Sequence, residues 1–127
     1  MTEVIKFSLP QTLPLLNSTN GDQYRQAWDL DAIDRRLHDG EDVRVEIEVE
    51  KGVQAVPAFM VGLFNPGVDY NGAAKVLGSY RFVSGDRSYA DRMQGLFVQE
   101  VAGMEMMRRR GIEAQGGTDP NAGPTFS

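Results

Sequence analysis

Between Val43 and Glu50 the chain alternates without a slip. Val43, Val45, Ile47 and Val49 are aliphatic, and Arg44, Glu46, Glu48 and Glu50 between them are charged. A period of two sends successive side chains to opposite faces of a strand, so one face meets a core and the other meets water. A helix would scatter the same residues around its whole surface. Lys51-Gly52 ends the strand. Pro57 suits the first position of a helix, where its missing N–H would have no partner anyway. Phe59, Met60, Leu63 and Phe64 then offer an apolar face, and Asn65-Pro66-Gly67 is expected to end it.

The rest of the chain fits around this βα unit. Val4–Leu9 has strand composition and stops at Pro10. Gln11–Gly21 reads as a polar connector. One helix is expected within Asp22–His38, where Leu30, Ile33 and Leu37 recur at helical spacing, Tyr24, Ala27 and Trp28 extend the apolar face, and Gly40 follows as a stop. Asp22 or Asp29 can cap it. Lys75–Val83 is the third strand candidate, with Tyr80 and Phe82 on one face. Ser88 can cap a long helix running from Tyr89 toward Arg110. Its apolar stripe is Ala90, Met93, Phe97, Val101 and Met104. Gly103 is a candidate break, since glycine inside a helix costs about 1 kcal/mol relative to alanine. Gly111 is the expected stop.

The order β-α-β-α-β-α favours an α/β layered fold with a mostly parallel sheet packed by helices and a long last helix. At 127 residues one domain is expected, over residues 1–111, with 112–127 a disordered tail rich in Gly, Pro, Asn and Thr. Strands of a doubly covered parallel sheet are normally apolar on both faces. The charged side of Val43–Val49 therefore implies a partly open sheet face, or a place near the sheet edge.

Charge and composition narrow the function. Thirteen Lys and Arg against 18 Asp and Glu leave a net charge of −5. That argues against nucleic acid or an anionic membrane as the main partner, because binding phosphates needs a surplus of cations. With no cysteine, thiolate catalysis and Cys-based zinc sites are excluded. No basic segment followed by an apolar run opens the chain, and no window approaches a membrane span, so a cytoplasmic protein is expected.

Chemistry-bearing patterns are sparse. His38 is the one histidine, at a helix end, and lacks the partners of a transition-metal site. No Gly-x-Ser-x-Gly elbow occurs; Gly78-Ser79-Tyr80 is not one. Glu46, Glu48 and Glu50 stand about 6–7 Å apart along one strand face, near carboxylate-pair distances, though a solvated face explains them more simply. Asp29, Asp31 and Asp34 lack the Gly and terminal Glu of a calcium loop, so capping and solvation account for them. Gly67–Gly72 reads as a turn rather than a phosphate cradle, and Val68–Ala74 as a Gly/Asn loop or a weak helical turn. No catalytic residue, metal or cofactor is expected.

Several segments together resemble the STAS-like family of unknown function. They are Gly21-Asp-Gln-Tyr24-Arg25 leading into a helix, Asp39-Gly40-Glu-Asp before the strand Val43–Val49, and Ala58-Phe59-Met60-Val61-Gly62-Leu63-Phe64 after a short turn. The resemblance covers roughly residues 6–83. It implies a layered α/β fold and a regulatory role through protein contacts. STAS domains typically carry a phosphorylatable Ser or Thr at the strand–helix junction. Here the junction is Gln54-Ala55-Val56-Pro57, and Ala58, Met60 and Val61 stand where the family tends to have a small hydroxyl and acidic residues. The expected behaviour is therefore contact without a phosphorylation switch.

Two surfaces are expected to carry that contact. One is the junction and helix start, with Gln54, Ala55, Pro57 and Phe59. The other is the end of the last helix, with Glu100, Met104, Met106 and Met107, where flexible methionines suit adaptable interfaces. Either that helix runs past the domain body or its end packs on another chain. The expected function is a non-catalytic regulatory or adaptor protein binding a protein partner or a second copy of itself as a homodimer. The alternatives are a small-molecule-binding protein or small enzyme using the acidic strand face, and a phage or mobile-element accessory protein that binds a host protein.

Overall fold

A computed structural model describes residues 2–9, 18–50 and 57–114. Along the chain these form β1 (Glu3–Leu9), α1 (Ser18–Ala27), α2 (Leu30–His38), β2 (Val43–Val49), α3 (Pro57–Asn71), α4 (Ala73–Ser79), β3 (Tyr80–Val83) and α5 (Arg87–Ala114). The strands make one parallel sheet in the order β1-β2-β3. The fold is α/β, a three-strand parallel sheet packed by helices with a long final helix. No helix among the described residues is long and apolar enough to cross a membrane.

The strand order explains the charged face of β2. Both connections step the same way across the sheet, and such crossovers are right-handed almost without exception. Two crossovers of one hand in one direction lay their helices on one side. Ile5 and Phe7 of β1, Val45 and Ile47 of β2, and Tyr80 and Phe82 of β3 line that side in register. The β2 and β3 members are buried, and the two from β1 pack partly buried against the same core. On the other side Lys6 pairs in register with Glu46, and Glu46 with Arg81, facing water. β2 is the central strand, so the open face, not an edge position, accounts for its glutamates.

α3 is the buried hub. Phe59, Met60, Leu63, Phe64 and Val68 are all essentially inaccessible. Phe64 meets Tyr80, Phe82 and Phe97, bringing β3 and α5 onto one aromatic cluster. On its far side α3 touches α1 so closely that a Cβ on Gly21 would lie 2.3 Å from the Phe59 carbonyl oxygen. Only glycine fits there. α5 also covers the outer edge of β3, where the Phe82 N–H donates to Gln94 Oε1 at 2.9 Å.

Several boundaries differ from the sequence expectation. The one helix expected within Asp22–His38 is two, α1 already starting at Ser18 inside the expected connector, with the break where Asp29 takes the left-handed conformation at φ 50°. Aspartate tolerates that region better than most residues. The break lets Trp28 stack on Phe7 of β1, with ring centroids 4.6 Å apart. Pro66 does not end α3, because Gly67, Val68 and Asn71 are buried and hold the last turn in place. The expected turn at Gly67–Gly72 is thus helical up to Asn71. Lys75–Ser79 is helix α4, not strand. Gly72 at φ 84° re-aims the chain, and Ala73, Ala74, Lys75 and Leu77 are helix formers. Only Tyr80–Val83 is strand. α5 starts earlier than expected, with Asp86 Oδ1 accepting the Tyr89 N–H at 2.9 Å in place of a Ser88 cap. It runs unbroken through Gly103 and Gly111. The tail expected at 112–127 is helical to Ala114; the remainder lies outside the described residues.

Candidate functional site

The densest polar chemistry is a buried ionic seam that joins α1, α2, α3 and β3. Arg25 leaves α1 and is 5% exposed. Its Nη2 donates to Asp34 Oδ2 and Asp31 Oδ1, both at 2.6 Å, and its Nε donates to Asp31 Oδ1 at 3.1 Å. Nη1 donates to the Leu63 carbonyl of α3 at 3.0 Å. Asp34, 2% exposed, accepts the Tyr80 hydroxyl on its other oxygen at 2.8 Å. Its backbone carbonyl accepts Asn71 Nδ2 at 2.9 Å. The seam continues outward through Asn71 Oδ1, 3.2 Å from His38 Nδ1, to the His38 ring stacked on Tyr70. Gly67 makes room, since a Cβ there would sit 2.8 Å from Asp34 Oδ2.

Burial and neighbouring charges act on two groups of the seam. Burial alone would lower the Arg25 guanidinium, but the Asp34 and Asp31 carboxylates outweigh it and hold it above its ordinary value. Burial, and then the adjacent Asp34 charge, push the Tyr80 phenol far up, so it stays a donor. Beside the seam lies a cleft of about 290 Å³ lined by Arg25, Asp31, Asp34, Arg35, Pro66 and Tyr70. Its floor is occupied by groups already bonded to one another. The seam locks three helices to the sheet.

The other sequence candidates are scattered. Glu46, Glu48 and Glu50 lie on the open side, where Glu46 is half-buried and the other two exposed. Among the described residues no three His, Cys, Asp or Glu are close enough to hold a metal ion. Asp34 corrects the reading of Asp29, Asp31 and Asp34 as capping and solvation. It is a buried ion-pair partner, and Asp29 makes no side-chain cap bond.

Of the expected contact residues, Gln54 and Ala55 lie outside the described residues. Pro57 is exposed at the start of α3. Phe59 is fully buried, edge-on to Tyr24 under α1, and Met104 is 6% exposed within the core. Neither presents a surface as folded. Glu100 is half-buried. Met106 and Met107 are 56% and 67% exposed. Nearby, Glu105 anchors α5 on α4. It accepts the Ala73 N–H at 3.3 Å and Arg108 Nε at 2.9 Å, with Arg109 Nε at 3.1 Å. Hydrogen bonding to Arg108 is the main reason its carboxyl is held below the usual range.

No family model, curated protein or solved structure matches this chain.

The seam escaped the sequence reading, although its signal was present. Asp34 lies four residues after Leu30 and three before Leu37, on the apolar side of α2. A carboxylate there needs a buried cation. Arg25, already part of the Gly21–Arg25 segment, is that cation.

Proposed function

We propose that the protein is a non-catalytic STAS-like binding module that acts through protein contact, with the exposed face of α5 as its contact surface. One observation carries this reading. α5 is 28 residues long, roughly 42 Å at 1.5 Å per residue, and it leaves Val98, Met106 and Met107 in solvent beside its well-packed inner face. Exposed methionines on a rigid helix give adaptable apolar contact. The STAS-like assignment draws support from the α/β layering and from Gly21, Tyr24 and Arg25, which make the α1–α3 junction. Among the described residues Arg25, Asp34, Tyr80 and Asn71 are bonded to one another, which favours a structural seam over a reactive set and so binding over catalysis.

The test is capture of a protein partner on the immobilised chain, with Met106→Asp and Met107→Asp as variants. Both positions are exposed, so circular dichroism should show the fold retained. Loss of the captured protein in Met106→Asp supports the reading. Capture that survives Met106→Asp overturns it.

A second reading rests on the cleft. Asp31, Arg35 and Tyr70 are exposed along it and offer both charges and a ring, a lining suited to a small polar ligand. A metabolite screen that raises the melting temperature of the wild type but not of Arg35→Ala would favour it over protein contact.

A further inference from the structure

We propose that α5 pairs antiparallel with the α5 of a second copy of this chain. This rests on the reading of α5 as a contact surface and names its partner.

The outer side of α5 carries Asp91, Gly95, Val98, Ala102, Met106 and Arg109 at steps of four, three, four, four and three. Those steps place all six on one stripe of a helix. The stripe lies opposite the core residues Phe97, Val101 and Met104, and every member of it is exposed. Val98 and Met106 are 43% and 56% exposed, an apolar centre that nothing among the described residues covers.

The two ends of the stripe carry opposite charge, about 27 Å apart at 1.5 Å per residue. Asp91 has no ion pair among the described residues. Arg109 makes one bond within its own helix, to Glu105, and its side chain stays 57% exposed. A parallel copy would set Asp91 beside Asp91. An antiparallel copy sets Asp91 beside Arg109 of the second copy, and the two-fold axis repeats that pair at the other end. In this register Val98 faces Ala102 of the second copy, and Met106 falls within one residue of facing Gly95. A Cβ on Gly95 would meet nothing within 4 Å in its own chain, so no contact there requires a glycine inside the helix. A methionine laid across it from a second helix would use that open space. One helix face is a small interface, below the roughly 1,200 Å² of standard complexes, so the pair is reversible.

The experiment is sedimentation equilibrium of the full chain up to roughly 0.5 mM, well into the range where a weak, near-millimolar pair forms. The wild type should move from the mass of one chain toward two. Asp91→Arg and Arg109→Asp should each weaken self-association by more than about tenfold, because each pairs like charges at both ends. An equal mixture of the two variants should recover it, since every Arg then faces an Asp. Both positions are exposed, and circular dichroism checks that the fold is kept.

A wild type that stays at one chain, variants that associate like the wild type, or a mixture that fails to recover each overturn the pairing. If the wild type is monomeric while Met106→Asp abolishes capture of a different protein, the pairing fails and the contact-surface reading stands. If Met106→Asp changes neither mass nor capture, both fail.

Discussion

Two arginines in this molecule each sit between two carboxylates, and only one of them holds the fold together. Arg25 bonds Asp31 and Asp34 beneath α1, with its side chain 6% exposed. Arg36 bonds Glu3 at 2.7 Å and Glu41 at 3.0 Å, with its side chain 34% exposed at the rim of β1. The chemistry and distances are alike. Water is the difference. Around Arg36 it solvates each charge when the pair opens, so the pair adds little. Around Arg25 and Asp34, whose side chains are 6% and 2% exposed, no water replaces a lost partner, so breaking that pair strands a charge in the core, whereas Asp31 stays 69% exposed. The resulting prediction concerns the cost of removal, and does not rank the seam above an apolar core of the same shape.

The largest effect should come from Arg25→Met, which leaves Asp34 buried and uncompensated. About 3–5 kcal/mol of stability should be lost, read by urea unfolding. A loss no larger than that of Arg36→Ala would break the comparison. Tyr80→Phe removes one donor to Asp34 and should cost about 1–3 kcal/mol in the same assay, with the fold retained. Arg36→Ala should produce only a small shift of the midpoint at low salt, and raising ionic strength should erase it. Salt should leave the Arg25→Met deficit nearly unchanged, because screening acts mainly on exposed charges.

A pH titration sharpens the same contrast. The hydrogen bond from Arg36, and then its charge, hold Glu3 below the usual carboxylate value of 4.5. A folded-state value that is depressed adds stability that is full above 4.5 and is lost as pH falls through the lower folded value. Wild type and Arg36→Ala should therefore converge in melting temperature in acid and separate again above 4.5. The smallest effect tests the long helix. Gly103→Ala meets nothing within 4 Å and should stabilise the chain by up to about 1 kcal/mol, visible as a modest rise in melting temperature.

Strong periodicity was what the sequence conveyed well. The alternation of β2, the helix opened by Pro57, and the stripe of Met93, Phe97, Val101 and Met104 on α5 all lie where their spacing puts them. The charged β2 face allowed an open side of the sheet or an edge position, and the central place of β2 leaves the open side. Local signals that tertiary contacts override were misleading. Pro66 reads as a stop, yet Val68 and Asn71 are buried beyond it. Lys75–Ser79 reads as the front of a strand because Val76 and Leu77 adjoin Tyr80 and Phe82. Gly72 turns the chain first, and the residues after it close a helix. The seam was hidden for a different reason: three closely spaced aspartates look solvated until one asks which lies on the apolar side of α2. Met106 and Met107 are exposed, whereas Phe59 and Met104, expected to carry contact, lie at core positions that their spacing already assigns.

The glutamine at the edge of β3 gives the sheet a direction. Gln94 occupies the Phe82 N–H that a neighbouring strand would need on that side. The last strand is therefore closed to templating there by a side chain of the molecule's own longest helix, a built-in stop against edge-to-edge growth. Replacing that one amide would unstopper the edge and leave the hydrophobic core untouched.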